Sequence, residues 1–325
     1  MKTLLAVAVA LVAAHSVAAP AAHAQQTIKI GTTPSFIFLP LYAAEQLGYF
    51  KGEGITAQFV DFEGGPEVTT AMVGGSVDTG GTMVERPRIL AEKGFGAKNL
   101  VALENRNPLY LVIRKDHPAK EVKDLKGAKL GMTRAGSGTD LSLRALLKDA
   151  GLEPDRDVAI IAVGGVSSAN AALKAGQVDG FMGAEPAGAI AVHQLKLARY
   201  LVDPRLGQGP RFLQFMTFST LQASDKWLAA NPQLAERLVR ALVKTLKRLR
   251  EDPESAVAVG QKLFPTMDVA TIRSIIAIEK RTYSPAITEE AIRFCNQVQK
   301  QVGSVKSDIP YDKVVAMQLR HLWDQ

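Results

Sequence analysis

The chain has 325 residues, a hydrophobic share of 47% and a formal net charge of +7. This hydrophobic share is ordinary for a globular protein. Cys295 is the one cysteine, which excludes an internal disulfide even in an oxidising compartment. We expect Cys295 to be a small buried hydrophobic side chain, because it shares a helical face with Ile292, Val298 and Val302.

Residues 1–24 are typical of a cleavable export signal. Lys2 provides a positive start, residues 4–14 are apolar, and Ala22-His23-Ala24 is a small-residue cleavage site before Gln25. The apolar stretch is too short to cross a bilayer, for which about 20 residues are needed. We therefore predict cleavage after Ala24 and a periplasmic location. The alternative is a membrane anchor that stays in place.

After the signal, short apolar segments alternate with segments of helical pattern. The predicted strands are Thr27–Thr33, Gln58–Phe62, Val77–Gly80 and Leu100–Leu103, and the predicted helices are Pro40–Leu47, Glu67–Val73 and Val84–Glu92. Strands that alternate with helices favour a mostly parallel sheet that is covered by helices on both faces.

A second series of the same kind follows the extended run Leu109–Arg114. Its predicted strands are Ala128–Met132 and Val158–Val163, and its predicted helices are Thr139–Ala150, Ala169–Ala175 and Pro186–Leu197. A Pro- and Gly-rich loop over 203–210 leads to a predicted strand over Phe212–Leu221. From Ser224 onward the pattern is helical, with breaks near Pro253, Pro265, Pro285 and Pro310.

One segment of the first series recurs in the second. Residues 71–78 align with residues 172–179, with Ala, Gly, Val and Asp at matched positions. Each copy predicts a helix end, a glycine cap in the left-handed conformation and a short strand. A chance match is the alternative. A true repeat indicates two similar lobes that face a shared cleft.

The predicted fold class is therefore α/β, with two doubly wound, mostly parallel sheets. We assign residues 25–112 and 215–325 to lobe one and residues 113–214 to lobe two. Two extended crossings, Leu109–Arg114 and Phe212–Leu221, are expected to form the hinge, and the C-terminal helices to pack on lobe one.

Much of the positive charge lies on one predicted helix. Its basic residues alternate with leucines at helical spacing: Arg237, Arg240, Lys244, Lys247, Arg248 and Arg250, with Leu234, Leu238, Leu242, Leu246 and Leu249. This pattern is typical of an amphipathic helix with a solvated face. No zinc spacing or RNA-binding signature accompanies it, so we expect no nucleic-acid partner.

Small and hydroxyl residues recur at the predicted strand-to-helix turns, where ligands of parallel sheets bind. The candidate ligand-binding residues are Ser35, Phe36, Gly65, Thr82, Ser137, Gly138, Thr139, Ser167 and Glu185. Helix N-termini at these turns supply unpaired N–H groups and partial positive charge, which favours an anionic oxygen group. Ordinary helix caps and tight turns are the alternative for each turn.

Several side chains near these turns have two interpretations. Arg86 and Arg134 provide counter-charges for an anion or are exposed loop residues, and Phe36 stacks on a ligand ring or fills the core. Glu185 caps a helix or projects into the cleft, where it would favour an N–H or ammonium group.

The sequence contains no complete catalytic motif. Residues 136–138 and 165–167 do not form a G-x-S-x-G elbow, and residues 133–140 lack the Lys and Ser/Thr of a P-loop. The histidines His117, His193 and His321 show no metal-ligand spacing. We therefore expect neither an enzyme nor a cofactor or metal.

Residues 27–31 (TIKIG) and 40–55 (PLYAAEQLGYFKGEGI) resemble the opening of the nitrate/sulfonate/taurine-type periplasmic solute-binding proteins of ABC importers. The paired G-x-V-D segments, residues 124–127 (DLKG) and Glu185-Pro186 are also similar to that family. The resemblance implies a two-lobed fold that closes on a small ligand and docks on a membrane permease. It implies ligand contacts at Ser35, Gly65, Thr82, Ser137, Thr139 and Glu185.

The function predicted from the sequence is a monomeric periplasmic protein that delivers a small organic molecule, anionic or zwitterionic, to an ABC transporter. One alternative is a ligand-sensing subunit for a membrane receptor. Another is an enzyme similar to the fungal thiamine-precursor synthases, which are built on the same fold.

Overall fold

The computed structural model describes residues 25–325, and the predicted signal peptide lies outside the described residues. Two five-stranded sheets form the framework, in the orders β2-β1-β3-β10-β4 and β7-β6-β8-β5-β9. Their strands are β1 (Gln26–Thr32), β2 (Ile55–Asp61), β3 (Thr79–Met83), β4 (Ala97–Ala102), β5 (Tyr110–Arg114), β6 (Lys129–Met132), β7 (Ala159–Ala162), β8 (Gly180–Gly183), β9 (Ala198–Val202) and β10 (Ser219–Ser224). We call the first sheet with its helices lobe one and the second sheet with its helices lobe two.

Helices cover both faces of the sheets. In lobe one and the C-terminal segment they are α1 (Leu39–Gln46), α2 (Tyr49–Gly52), α3 (Gly65–Gly74), α4 (Arg86–Glu92), α9 (Asp225–Ala230), α10 (Pro232–Glu251), α11 (Pro253–Leu263), α12 (Val269–Glu279), α13 (Glu289–Gln301) and α14 (Tyr311–Val314). Between them along the chain lie α5 (Gly138–Asp149), α6 (Val166–Lys174), α7 (Ala187–Ala189), which continues as a π-helix over Ile190–Gln194, and α8 (Arg211–Phe215). Short 3₁₀ turns occur at Phe36–Phe38, Val122–Leu125, Pro204–Leu206 and Met317–Leu322. No helix within residues 25–325 has both the length and the apolar character that crossing a membrane requires.

The two sheets have the same topology, which confirms the predicted α/β fold with mostly parallel sheets. The first three strands of each lobe pair in parallel, with β1 or β6 in the centre. The fourth strand of each sheet, β10 or β5, runs antiparallel to its neighbours. The chain passes from β4 of lobe one into β5 of lobe two, and from β9 of lobe two into β10 of lobe one. It therefore crosses between the lobes over 103–109 and again over 203–218.

Two predictions about the crossings need correction. All of Tyr110–Arg114 is paired inside the second sheet, so the predicted boundary after residue 112 falls within β5. The predicted strand Phe212–Leu221 is wrong in its first half, because Arg211–Phe215 is helical. Leu213 is buried there and the Phe215 ring stacks on Phe294 of α13 at 6.2 Å, so packing against α13 outweighs the strand preference of the aromatic residues.

The repeated segment has one structural role in both lobes. Gly75 and Gly176 end their helices with φ of 77° and 68°, in the left-handed conformation. The Asp78 backbone N–H donates to Lys29 O at 2.9 Å, and its Oδ2 accepts the Lys29 N–H at 2.8 Å. Asp179 makes the same pair of bonds to Lys129, at 2.7 and 2.8 Å. Each aspartate therefore attaches the start of its third strand to the central strand.

We predict that Asp78→Ala and Asp179→Ala each lower the free energy of unfolding by about 1 kcal/mol, because each loses one carboxylate hydrogen bond to the backbone. Chemical denaturation measures this loss. Asp149→Ala, at the exposed end of α5, is the control and should change stability little. Equal stability of all three variants would contradict the shared role of the repeat.

The C-terminal segment is helical and packs mainly on lobe one, as predicted. The leucine stripe of α10 is buried against α1 and α2. The basic face is solvated as predicted at Lys244, Lys247, Arg248 and Arg250, and Arg240 and Lys244 each lie 2.8 Å from the Glu53 carboxylate after α2. Helix α13 also touches lobe two, where Lys148 Nζ donates to Gln301 O at 3.0 Å. Cys295 on α13 is buried as predicted, and burial raises the pKa of its thiol.

A buried ion cluster lies where the chain returns to lobe one. The Arg205 guanidinium is 1% exposed and lies 2.8 Å from Asp203, 3.0 Å from Glu185 and 3.3 Å from Glu279. Its Cζ is also 4.5 Å from the centre of the Tyr110 ring. Arg205 thus joins the end of β8, the return crossing and helix α12.

This cluster has more carboxylates than cations, and burial acts on the excess. Desolvation raises the pKa of Glu279 to about 7, and the nearby Glu185 charge adds to this effect while Arg205 opposes it. Burial and the charge of Glu279 raise the pKa of Glu104 well above its usual value. The folded protein therefore binds more protons near neutral pH than the unfolded chain does.

We predict that the free energy of unfolding falls as the pH rises from about 5 to about 8, since Glu279 must then ionise inside the fold. The expected loss is on the order of 2 kcal/mol. Glu279→Gln should remove part of this pH dependence, whereas Glu251→Gln on the exposed end of α10 should not. Denaturation of the three proteins across this range is the measurement, and identical pH profiles would contradict the prediction.

Candidate functional site

A cavity of about 390 Å³ lies between the two lobes. Its walls include the last residues of β3 and β8 and the turns that follow β1, β2, β6, β7 and β8. Helices α3, α5 and α6 begin at these turns. The first N–H groups of a helix have no acceptor within the helix, so these three N-termini offer donors and partial positive charge at the cavity.

The wall from lobe one carries two buried hydroxyl groups. Ser35 is 7% exposed and Thr82 is 1% exposed, and both line the cavity. Neither Ser35 Oγ nor Thr82 Oγ1 has a hydrogen-bond partner within residues 25–325. A buried hydroxyl without a partner is costly, and in native proteins such a group requires an explanation. A polar atom of a molecule bound in the cavity would satisfy them.

The wall from lobe two carries three hydroxyl groups that bond to each other. Thr133 Oγ1 lies 2.9 Å from Ser137 Oγ and 2.9 Å from Thr139 Oγ1, and the last two atoms are 2.7 Å apart. Ser137 is also the N-cap of α5 and accepts the N–H of Asp140. The local sequence therefore forms both a helix start and a polar wall.

The rest of the cavity is apolar and carries little charge. Its larger hydrophobic side chains are Ile37, Phe38, Phe62, Met83, Leu109, Val163, Val166, Phe181, Met182, Ile190 and Phe264. Among the lining residues of the described chain, Glu63 is the single ionisable side chain. Glu63 is exposed, and its Oε2 accepts the N–H of Gly165 from the opposite lobe at 3.3 Å.

Further contacts join the lobes around the cavity. The Phe36 N–H donates to Glu185 O at 2.9 Å, and Arg134 Nε lies 3.2 Å from Glu67 Oε1. Arg86 Nη2 of lobe one donates to Gly136 O of lobe two. The lobes therefore contact each other on several sides of the cavity.

Most residues predicted for the site lie at this cavity: Ser35, Gly65, Thr82, Ser137, Gly138, Thr139 and Ser167. Contact of these residues with a ligand remains a prediction. Phe36 does not line the cavity, because its buried ring stacks on Phe264 with centroids 5.0 Å apart. Arg134 is exposed and paired with Glu67, whereas Arg86 is buried.

Glu185 is turned away from the cavity, so the interpretation in which it projects into the cleft as a ligand-binding residue is wrong. Its carboxylate accepts bonds from Tyr110 at 3.0 Å, Tyr200 at 2.8 Å and the Ala189 N–H at 2.9 Å, besides pairing with Arg205. The alternative interpretation, a carboxylate that satisfies the start of a helix, agrees with the bond from Ala189. Its backbone still borders the cavity through Ala184.

The sequence interpretation missed several lining residues. Thr133 follows β6 as Thr33 follows β1, so the matching position after the first strand of each series contained a signal for it. Phe264 and Thr266 come from the loop after α11, far along the chain, and no local pattern points to them. Within residues 25–325, no group of three or more His, Cys, Asp or Glu side chains is placed to hold a metal ion.

Comparison with known proteins gives a family match over residues 21–263. The chain belongs to the NMT1-like family. It is 26% identical over 266 residues to the riboflavin-binding protein RibY of Chloroflexus aurantiacus. This alignment covers 78% of this chain and 72% of RibY. It is 24% identical over 228 residues to the 4-amino-5-hydroxymethyl-2-methylpyrimidine phosphate synthase of Schizosaccharomyces pombe. This second alignment covers 66% of this chain. The match spans 62% of the length of that synthase.

Among solved structures, the alkanesulfonate-binding protein SsuA of Xanthomonas axonopodis pv. citri, bound to MOPS, superposes with a TM-score of 0.74. That match has 18% identity and covers 89% of this chain and 97% of SsuA, so it shows the fold. These findings confirm the resemblance to nitrate- and sulfonate-type binding proteins.

We predict that Glu185 stabilises the fold rather than selecting a ligand. Glu185→Ala should lower the free energy of unfolding by about 3 kcal/mol, because it removes one member of a buried ion pair. Tyr200→Phe should cost about 1 kcal/mol, since it deletes a single hydrogen bond. Ser167→Ala, at the exposed mouth of the cavity, is the control. The prediction fails if denaturation gives Glu185→Ala the stability of that control.

Proposed function

We propose that the protein captures a small organic molecule between its two lobes and delivers it unchanged to the permease of an ABC importer. The observation that carries this proposal is the pair of buried hydroxyls, Ser35 Oγ and Thr82 Oγ1, that line the cavity without a partner in the described chain. The family match and the binding proteins among the relatives support it.

The cavity suits a small organic molecule in size and chemistry. A volume of about 390 Å³ lies within the range of roughly 300–1,000 Å³ typical of small-molecule sites. Aromatic and branched side chains provide an apolar surface for the body of a ligand. Hydroxyls and helix N-termini on both lobes provide directed hydrogen bonds for its polar group.

The connection between the lobes suits capture and release. The chain crosses between the sheets twice, over 103–109 and 203–218, and a change in the angle between the lobes at these crossings would open the cavity. Contacts such as Arg134 with Glu67 lie between the lobes and would form and break with this motion. A ligand that touches both walls favours the closed state because it adds contacts that the open state lacks.

The side chains at the cavity argue against catalysis by this chain. The Ser137 hydroxyl bonds to Thr133 and Thr139, and neither is a base that could activate it as a nucleophile. Within the described residues, the lining contains no histidine, lysine or cysteine. The similarity to the pyrimidine synthase is therefore best explained by a shared fold.

A glycine substitution tests the proposed cavity. An alanine at position 65 would place its Cβ 2.7 Å from Thr82 Oγ1, so Gly65→Ala should obstruct the wall and weaken binding at least tenfold. Gly74→Ala, in the same helix α3, meets no atom within 4 Å and is the matched control. Thr82→Val should weaken binding about fivefold, since it removes one hydroxyl bond of about 1 kcal/mol.

The measurement is thermal-shift screening with aromatic acids, pyrimidines and sulfonates, followed by calorimetry of each stabilising compound on the three variants. Mass spectrometry of the recovered compound should show it unchanged. Equal affinity of Gly65→Ala and Gly74→Ala, or conversion of the compound to a product, would refute the proposal.

A further inference from the structure

Glu85 is a buried carboxyl group at the contact between the two lobes. It lies in lobe one, directly before α4, and is 2% exposed. A Cβ at Gly138, the first residue of α5 in lobe two, would lie 3.2 Å from Glu85 Oε1 and 3.0 Å from Met83 Cγ. The start of α5 therefore packs against lobe one with little room for a side chain, and it shields Glu85 from water on that side.

The two carboxyl oxygens of Glu85 have different surroundings. Oε2 accepts the hydroxyl of Thr217, which lies on the second crossing, at 2.6 Å. Oε1, on the side of Gly138, has no hydrogen-bond partner within residues 25–325. An ionised carboxylate that is buried with one oxygen unbonded is costly, whereas protonation removes the charge of the group.

The ionisable groups around Glu85 do not offset its burial. Arg86, the next residue, favours the ionised form of Glu85, but Asp140 of α5 also attracts this guanidinium. On the side of α13 lies the Cys295 thiol, which burial keeps uncharged by raising its pKa. Burial therefore raises the pKa of Glu85 above its usual value, although Arg86 and the bond from Thr217 oppose this shift.

Separation of the lobes would change these surroundings. Gly138 and Asp140 belong to lobe two, so they would leave Glu85 when the lobes part, and water would reach Oε1. The desolvation that raises the pKa of Glu85 would then be relieved, while Arg86 would stay beside it in the chain. The arrangement with the lobes in contact, which we call closed, therefore binds a proton at Glu85 more tightly than the open arrangement does.

We propose that Glu85 is a proton-sensitive switch between the lobes, which favours the closed arrangement when it is protonated and the open arrangement when it is ionised. Its contribution to closure is complete at low pH and is lost as the pH rises through its raised pKa. This inference goes beyond the proposed function, because it concerns the motion of the ligand-free protein and names the proton as its regulator.

The sign of the pH dependence separates Glu85 from an exposed contact between the lobes. Glu67 of lobe one lies 3.2 Å from Arg134 of lobe two, and both side chains are exposed. Protonation of Glu67 would remove this ion pair, so the pair alone predicts loss of closure at low pH. A gain of closure at low pH instead requires a carboxyl group that the closed arrangement buries.

The test measures the distance between the lobes in the full chain without a ligand. Thr70→Cys on α3 and Ala171→Cys on α6 place two exposed thiols for spin labels, while Cys295 is buried. Unfolding and refolding first remove any co-purifying molecule. Electron-spin distance measurements between about pH 4.5 and about pH 8 then give the ratio of closed to open protein. A sample without the introduced cysteines checks that Cys295 stays unlabelled.

We expect the ratio of closed to open protein to fall about fivefold or more as the pH rises across this range. Glu85→Gln, which is neutral and similar in shape, should keep the ratio near its low-pH value at every pH. Glu279→Gln, in the ion cluster of the return crossing, should retain the pH dependence. Gly138→Ala should lower the ratio at every pH because its Cβ crowds lobe one, whereas Gly74→Ala meets no atom within 4 Å and should not.

Each other outcome would overturn the inference. An unchanged pH dependence in Glu85→Gln, or its loss in Glu279→Gln, would remove the role of Glu85. One distance at every pH, or a closed fraction that rises with pH, would reject the switch. If Glu85→Gln does not fold, Thr217→Val decides: it removes a bond that favours the ionised form, so the transition should move to higher pH, and an unmoved transition would reject the switch.

The proposed function fails on a different observation, because its test is the binding of a compound. A thermal-shift screen without any stabilising compound would count against capture of a small molecule and would leave the pH dependence of the distance between the lobes unaffected.

Discussion

The exchange of one strand between the two sheets is the constraint on which the rest of the structure depends. Strand β5 enters the second sheet directly from lobe one, and β10 enters the first sheet directly from lobe two. The chain must therefore cross twice between the lobes. This places the carboxyl ends of both sets of parallel strands at a common cavity, with the starts of α3, α5 and α6 around it. The polar wall follows from this arrangement, because each turn supplies N–H groups and a small or hydroxyl residue.

Two buried arginines join different parts of the fold. Arg205 is surrounded by Asp203, Glu185 and Glu279, and this cluster ties the return crossing to lobe two and to α12. Arg86 is also buried, and its Nη2 donates to Gly136 O of the opposite lobe. Complete pairing in the first case suits a structural joint. The bond of the second joins the two lobes.

Features governed by local sequence could be predicted, whereas features governed by distant contacts could not. The alternation of strands and helices, the glycine caps at Gly75 and Gly176 and the hydroxyl turns are local patterns, and the topology rule for parallel sheets then places the turns together. No strand was predicted over Ala198–Val202, where β9 lies between the predicted helix and the Pro- and Gly-rich loop. The direction of the Glu185 side chain depends on Tyr110, Tyr200 and Arg205, which come from other parts of the chain. The helix over Arg211–Phe215 likewise depends on packing against α13.

A crystal structure of the protein with its bound small molecule tests the central claim most directly. The account predicts one chemically unaltered molecule between the lobes, with a polar atom about 3 Å from Thr82 Oγ1 and its apolar part against Phe62 and Phe181. A molecule bound outside the cavity would contradict the account. A molecule inside it that leaves the Ser35 and Thr82 hydroxyls without partners would contradict it as well.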